Sequence, residues 1–303
     1  MSVVRVERAV YGVDDVPECL RFFRDLGLTP LDADGPGAAL VTRAGQVVEL
    51  RPADDPELPP SVEGTNSLRE VVWGVDTEQA LEDLLARIGA DRPVDVRGDS
   101  AHAVDETGYG VGLTVAAPAP MDVDVPGYNR TGWVTRWNTS RQPLGPVHPL
   151  RLCHVALNIP KAGREAAVAF YVDRLGFKVT DDVRDMGVFM RADGDQDQHT
   201  FLLCHRPDKA GVNHTAYEVE GFDEVVVGVN HMVEQGWRES RRLGRHTVGS
   251  NVFRFVQAPC GGRVELAADM DRVDDTYGPN VHEQAPPHHL WQLQGNRGQE
   301  AGE

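Results

Sequence analysis

Apolar positions along this chain alternate first with a period of two and then with a period near 3.6, and that switch recurs four times. The first round predicts a strand over Val3–Val13 and a helix over Val16–Leu26. Cys19, Phe22, Phe23 and Leu26 share one face of that helix, and Gly27 stops it. Short strands are expected at Ala38–Thr42 and Gln46–Arg51. The second round predicts a strand at Leu68–Val75, a helix carrying Leu81, Leu84, Leu85 and Ile88 and closed by Gly89, and strands near His102–Asp105 and Gly110–Ala116. The third opens with Arg151–Ile159 and continues in a helix over Arg164–Leu175, ended by Gly176. The fourth runs from His214 to about Asp269, with a helix from Asp223 to Gln235.

The halves resemble each other. FFRDLGLTPL in the first round and FYVDRLGFKV in the third both end an amphipathic helix on Leu-Gly and re-enter a strand. Both rounds finish on Arg-Pro, at Arg51-Pro52 and Arg206-Pro207. This is the mark of an internal duplication. The expected class is α+β, with four βαβββ modules paired into two domains, residues 1–118 and 150–270. Residues 119–149 between them are proline-rich and carry Trp133 and Trp137, and read as an ordered linker packed on the domains. After Met270 the periodicity is lost. The tail, 271–303, holds Tyr277, His282, His288 and His289, could act as a lid, and is expected to fray beyond Gly295.

Composition narrows the function. The 303 residues include 47 acidic against 30 basic ones, a formal net charge of −17, which repels phosphate backbones and anionic lipid and argues against nucleic-acid or membrane partners. No apolar run approaches the roughly 20 residues that cross a bilayer. The four cysteines form no CxxC pair and follow no signal-like segment, so free thiols and a cytoplasmic location are expected.

Three strand positions in the second half carry metal-ligand chemistry: His154, His214 and Glu265. On each strand the residue two onward on the same face is alanine: Ala156, Ala216 and Ala267. Small neighbours leave open volume beside the imidazoles and the carboxylate. Two neutral imidazoles and one carboxylate form a facial triad that leaves three positions of an octahedral Fe(II) open for substrate and O2. A single strand histidine is ordinarily a packed residue; the joint pattern at matching module positions is what carries weight. Aligning the halves places Ala9 opposite His154, Glu70 opposite His214 and Gly112 opposite Glu265, so the first half has no such triad.

Over Leu243–Glu265, LGRHTVGSNVFRFVQAPCGGRVE, the chain resembles the type I extradiol dioxygenases of the vicinal oxygen chelate superfamily, which includes glyoxalase-like proteins. Gly244, His246, Ala258, Pro259, Gly261 and Glu265 fit that signature. The resemblance implies that each domain is an open mixed β-barrel with helices outside. It also implies ring cleavage of a catechol by O2 next to its hydroxyls, at Fe(II), with Mn(II) as the other possible ion, in a homo-oligomer. It maps the metal ligands onto His154, His214 and Glu265, a general acid/base onto His199, and a substrate contact with catalytic work onto His246. One position departs: where the family usually keeps a tyrosine, nine residues after His246, this chain has Phe255, which has no hydroxyl. Tyr277 or His282 from the tail would be candidates to replace it. The competing readings are a glyoxalase-like lyase or isomerase, which usually needs a fourth ligand, a non-catalytic bleomycin-resistance-type binding protein, and a keto-acid-linked oxygenase.

Overall fold

The computed structural model describes residues 2–294 apart from 33–34, 122 and 124–126. In the first half, β1 (Val3–Val13), α1 (Val16–Asp25), β2 (Thr29–Leu31), β3 (Ala38–Val41) and β4 (Val47–Pro52) are followed by β5 (Ser67–Val75), α2 (Glu78–Gly89), β6 (Asp95–Arg97), β7 (Ser100–Val104) and β8 (Gly110–Val115). The second half repeats the order. It has β9 (Arg151–Pro160), α3 (Arg164–Ala169), β10 (Lys178–Val183), β11 (Gly187–Arg191) and β12 (Phe201–Arg206), then β13 (Gly211–Glu218), α4 (Phe222–Glu234), β14 (Glu239–His246), β15 (Val252–Gln257) and β16 (Arg263–Ala268). The tail adds β17 (Asn280–His282) and β18 (His289–Gln292).

Each half is one open, mixed sheet. The strand orders are β2-β3-β4-β1-β5-β8-β7-β6 and β17-β10-β11-β12-β9-β13-β16-β15-β14-β18. In both, an antiparallel central pair (β1/β5, β9/β13) is flanked by parallel neighbours. Side chains alternate between two environments. Val264 and Leu266 on β16 pack toward Val225, Val229 and Met232 of α4, while Arg263 and Glu265 point the other way, into a cavity. One hydrophobic cluster runs through both halves: Phe22 meets Trp237 at 5.0 Å between ring centroids, and Trp73 meets Phe177 at 4.9 Å.

Local chemistry explains the helix ends. Asp15 accepts from the Glu18 N–H to cap α1, and Thr77 accepts from the Ala80 N–H to cap α2. Gly27, at φ +103°, turns the chain where a Cβ would lie 2.0 Å from the Val147 carbonyl oxygen.

Three features differ from the periodicity. The helix expected over Arg164–Leu175 changes after Ala169 into a π-helical turn, Phe170–Arg174, and this lets the adjacent Phe170 and Tyr171 both be buried. The linker touches the domains through His148, whose Nδ1 meets the Gly27 oxygen at 2.9 Å, and through Tyr128 and Arg141, which both reach Asp223. Its tryptophans, however, are exposed, Trp133 at 70% and Trp137 at 73%. The tail is not shapeless: β17 pairs with β10 and β18 with β14, one at each end of the second sheet. Short edge strands held by backbone hydrogen bonds leave little hydrophobic pattern to read. The region beyond Gly295 lies outside the described residues. Among the described residues, no helix is long and apolar enough to cross a membrane.

Candidate metal centre

Register brings the three candidate ligands together around one small residue. On the central pair, Ala216 is the register partner of His154; across the parallel pair it is also the partner of Glu265. His214 lies two residues earlier on the same strand and face. All three ligands thus surround the space that the Ala216 side chain does not fill. His154 Nε2 and His214 Nε2 are 3.0 Å apart, and each is 3.2 Å from Glu265 Oε2. Glu265 is fully buried and its Oε2 has no hydrogen-bond partner, because neither imidazole contact has the alignment of a hydrogen bond. Two imidazole nitrogens face to face beside an orphaned carboxylate oxygen make a poor protein interior but a good ligand set. Donors about 2.1 Å from one ion and at right angles lie about 3.0 Å apart, the spacing seen here.

Outer groups fix how each ligand is presented. Asn213 Oδ1 is 2.9 Å from His214 Nδ1, so that nitrogen carries the proton and Nε2 is free to bind a cation. Asn251, itself buried, donates through Nδ2 to Glu265 Oε1 at 2.9 Å. Burial lowers the His214 pKa to about 4, so the ring is a neutral donor near pH 7. Burial alone would raise the Glu265 pKa, but the adjacent His154 and His214 outweigh it and hold the carboxyl well below its usual range.

The triad lies at the bottom of a cavity of about 250 Å³. Phe189, Leu202, Cys204 and Phe255 supply its apolar wall, and His199 and His246 its other imidazoles. His199 is buried, with its ring 4.5 Å from that of His154 and 5.1 Å from that of Phe189. Its tautomer follows from a relay. Gln198 Nε2 donates to Asp181 Oδ2 at 2.6 Å, so Gln198 Oε1 faces His199 Nδ1, also at 2.6 Å, and must accept its proton. His199 Nε2 is therefore left unprotonated. Burial first, and the neighbouring His154 second, hold the His199 pKa well below its ordinary value. Gly249 makes room: at φ +82° it carries no Cβ where one would sit 3.1 Å from both the His199 ring and Gln198 Oε1.

His246 stacks on Phe253 at 4.0 Å and lies 3.8 Å from Glu265 Oε1, with its pKa lowered by burial to about 3. Phe255, 1% exposed, stands edge-on to His214 at 5.1 Å. Tyr277 does not line the cavity. Its hydroxyl reaches Asp181 Oδ2 at 3.4 Å, and His282 Nε2 meets Asp181 Oδ1 at 2.6 Å, so both tail residues touch the far end of the His199 relay, not the space where a ligand would lie. The tail residues that do reach the cavity are Pro286, Pro287 and His288. Asn213, Asn251, Gln198 and Asp181 were not singled out from the sequence. Asn213 and Gln198 immediately precede His214 and His199, and that adjacency was the only signal available.

The first half shows how the same framework loses a site. Val72 occupies the place of Ala216, and its register partners are Arg8 and Gly112. Arg8, not Ala9, is thus the counterpart of His154. Ala9 faces Val71 and is buried in the core; the pairing steps in the same way in both halves, and this puts Arg8 where the second half has His154. The Val72 methyl lies 2.7 Å from where a Gly112 Cβ would be, so the volume left open by Ala216 is filled here. Glu70 accepts from or pairs with His102 Nδ1 at 2.8 Å instead.

Comparison with known proteins gives a family match in the second half. The model of the Glyoxalase/Bleomycin resistance protein/Dioxygenase superfamily matches residues 151–266. Metapyrocatechase 2 of Cupriavidus necator is 35% identical over 44% of this chain and 41% of its own length. The iron-dependent extradiol dioxygenase of Rhodococcus jostii (strain RHA1) is 27% identical over 41% of this chain and 45% of its own length. The chain thus spans less than half the length of the curated relatives it matches. Over whole chains the fold is that of BphC, a halotolerant catechol dioxygenase (TM-score 0.74, 17% identity, 98% of this chain and 96% of that one). It is likewise that of the Mn(II)-bound glyoxalase from Novosphingobium aromaticivorans (TM-score 0.72, 24% identity, 94% and 89%).

Proposed function

We propose that this chain, whose residues 151–266 match the model of the Glyoxalase/Bleomycin resistance protein/Dioxygenase superfamily, is an extradiol dioxygenase that opens the ring of a catechol-type substrate with O2. The observation that carries this reading is the convergence of His154, His214 and Glu265 to within 3.2 Å at the base of a buried, largely apolar cavity that also holds His199. The names of the relatives, a metapyrocatechase and an iron-dependent extradiol dioxygenase, support it. Three donors, among the described residues, converge there, which fits an ion with open positions and not the four-ligand set usual for a glyoxalase.

The triad would hold Fe(II), or Mn(II), and the ion would supply coordination of substrate oxygens and O2 and the passage of electrons between them. The chain's own residues do the rest. Phe189, Leu202 and Phe255 give an aromatic ring an apolar slot and keep bulk water out. His199 Nε2, left unprotonated by the Gln198 relay, accepts a proton during turnover and returns it when an oxygen of the product needs one. His246, held by its stack on Phe253, is placed to donate to or accept from a substrate oxygen. Phe255 provides no hydroxyl there, so His246 and His199 carry the proton contacts.

The test is anaerobic loading with Fe(II), then a panel of catechols followed by O2 uptake and the absorbance of the yellow ring-fission product. Turnover of at least one catechol is expected. Bound iron with no O2 consumption on any catechol would overturn the proposal.

A further inference from the structure

We propose that Arg241, Arg263 and Arg206 form an anion subsite at the outer end of the cavity, so that the diol handled here carries a carboxylate on its ring substituent. This deepens the ring-cleavage reading and rests on it.

All three arginines line the same cavity as the metal ligands. Among the described residues, none of them meets a carboxylate at ion-pair distance. Arg263 donates to the neutral Asn213 side chain and Arg206 to the carbonyl of His205, and the Arg241 guanidinium makes no hydrogen bond among the described residues. This is unusual in a chain with 47 acidic and 30 basic residues. The cavity in the first half shows the ordinary arrangement: Arg8 pairs with Glu49 at 3.2 Å, Arg51 with Asp55 at 2.6 Å, Arg92 with Glu106 at 2.7 Å and Arg97 with Asp95 at 2.6 Å. There, charges satisfy one another; in the second half, like charges are gathered and left open.

Gathering them is costly unless a ligand repays it. Burial disfavours the charged form of Arg241, and Arg263 stands beside it with the same sign of charge. The nearest compensating carboxylate is Glu265, which the metal would use. The aromatic contacts do not account for the cluster either. The Arg241 and Arg263 guanidinium carbons lie 5.0 Å and 4.9 Å from the Phe255 ring centre, which orients the two forks but neutralises nothing.

The placement suits one molecule spanning both ends. Across the sheet Glu265 pairs with Phe255, and Phe255 with Arg241. Adjacent strands are about 4.8 Å apart, so Arg241 starts about 10 Å from the metal end, with Phe255 between as a wall for the ring. A diol at the triad would direct its substituent along Phe255 to the guanidinium groups. Planar, two-pronged donors are the residue type that best matches a carboxylate.

The experiment compares catechol, methylcatechol and dihydroxyphenylacetate on the iron-loaded enzyme, as wild type, Arg241→Met and Arg241→Lys. Losing a charge-assisted contact is expected to raise KM for dihydroxyphenylacetate about 10- to 100-fold in Arg241→Met, with the neutral diols changed less than about twofold and Arg241→Lys in between. A merely structural arginine would shift all three substrates together, and that result overturns the subsite. Calorimetric titration with the same three diols separates this inference from the reaction itself. Tighter binding of the acid that Arg241→Met abolishes supports the subsite even if no ring is cleaved. Equal binding of acid and neutral diols overturns the subsite even where neutral catechols are turned over.

Discussion

Replacing Gln198 with methionine tests whether the His199 tautomer is set by the protein. The side chain keeps its volume and loses the amide that joins Asp181 to His199 through two contacts of 2.6 Å. Without Oε1 as acceptor, His199 Nδ1 has no fixed role, and the ring divides between tautomers, only one of which leaves Nε2 as a base. Equal tautomers cost only about twofold, but Gln198 Oε1 also supports the ring when Nε2 takes up a proton, and losing about 1–2 kcal/mol of that support lowers kcat about 5- to 30-fold. Asp181 keeps His282 at 2.6 Å and Tyr277 at 3.4 Å, so the fold should survive at a cost of about 1 kcal/mol. The assay is steady-state O2 uptake with saturating catechol, alongside iron content and a kcat–pH profile. The expected result is full iron occupancy, a fall in kcat and an altered profile. Full iron with kcat unchanged would refute the relay, and lost iron would show that Gln198 acts on the triad instead.

Other outcomes follow from the same geometry. His214→Ala removes one of three ligands, and bound iron, measured by elemental analysis, should fall from one per chain to near zero; unchanged stoichiometry removes His214 from the ligand set. Gly249→Ala forces an L-residue at φ +82° and a methyl 3.1 Å from His199, so thermal stability should drop by about 1–2 kcal/mol and kcat should fall with iron retained; a variant equal to wild type in both denies the tight fit. In the metal-free protein the His214 pKa, about 4, lies below the ordinary 6.5, so the unfolded chain binds the extra proton between those values. Its contribution is thus intact above about pH 6.5 and is lost as pH falls toward 4, at up to about 1.36 kcal/mol per pH unit. Urea titrations at a series of pH values should show that slope in the wild type and a shallower one in His214→Ala; identical slopes would exclude His214 as its source.

The sequence alone determined what local patterning can determine. Alternation and helical stripes located β1, β3, β4, β5, β7, β8 and β9 and the helices α1 to α4 to within a few residues, because each must bury one face. The recurrence of LG and RP signals exposed the duplication, and the strand contexts of His154, His214 and Glu265 marked them as candidates before any contact was known. Tertiary structure decided the rest, since it depends on register and on polar partners far away in the chain. Ala216 is meaningful only once pairing makes it the neighbour of both His154 and Glu265. That Arg8 and not Ala9 stands at the position of His154 follows from strand pairing, which a period-two pattern does not record. The Asp181–Gln198–His199 relay, Asn251 on Glu265 and the open arginine cluster join strands through side-chain geometry, and a one-dimensional string of polar residues does not say which of them will be left without a partner.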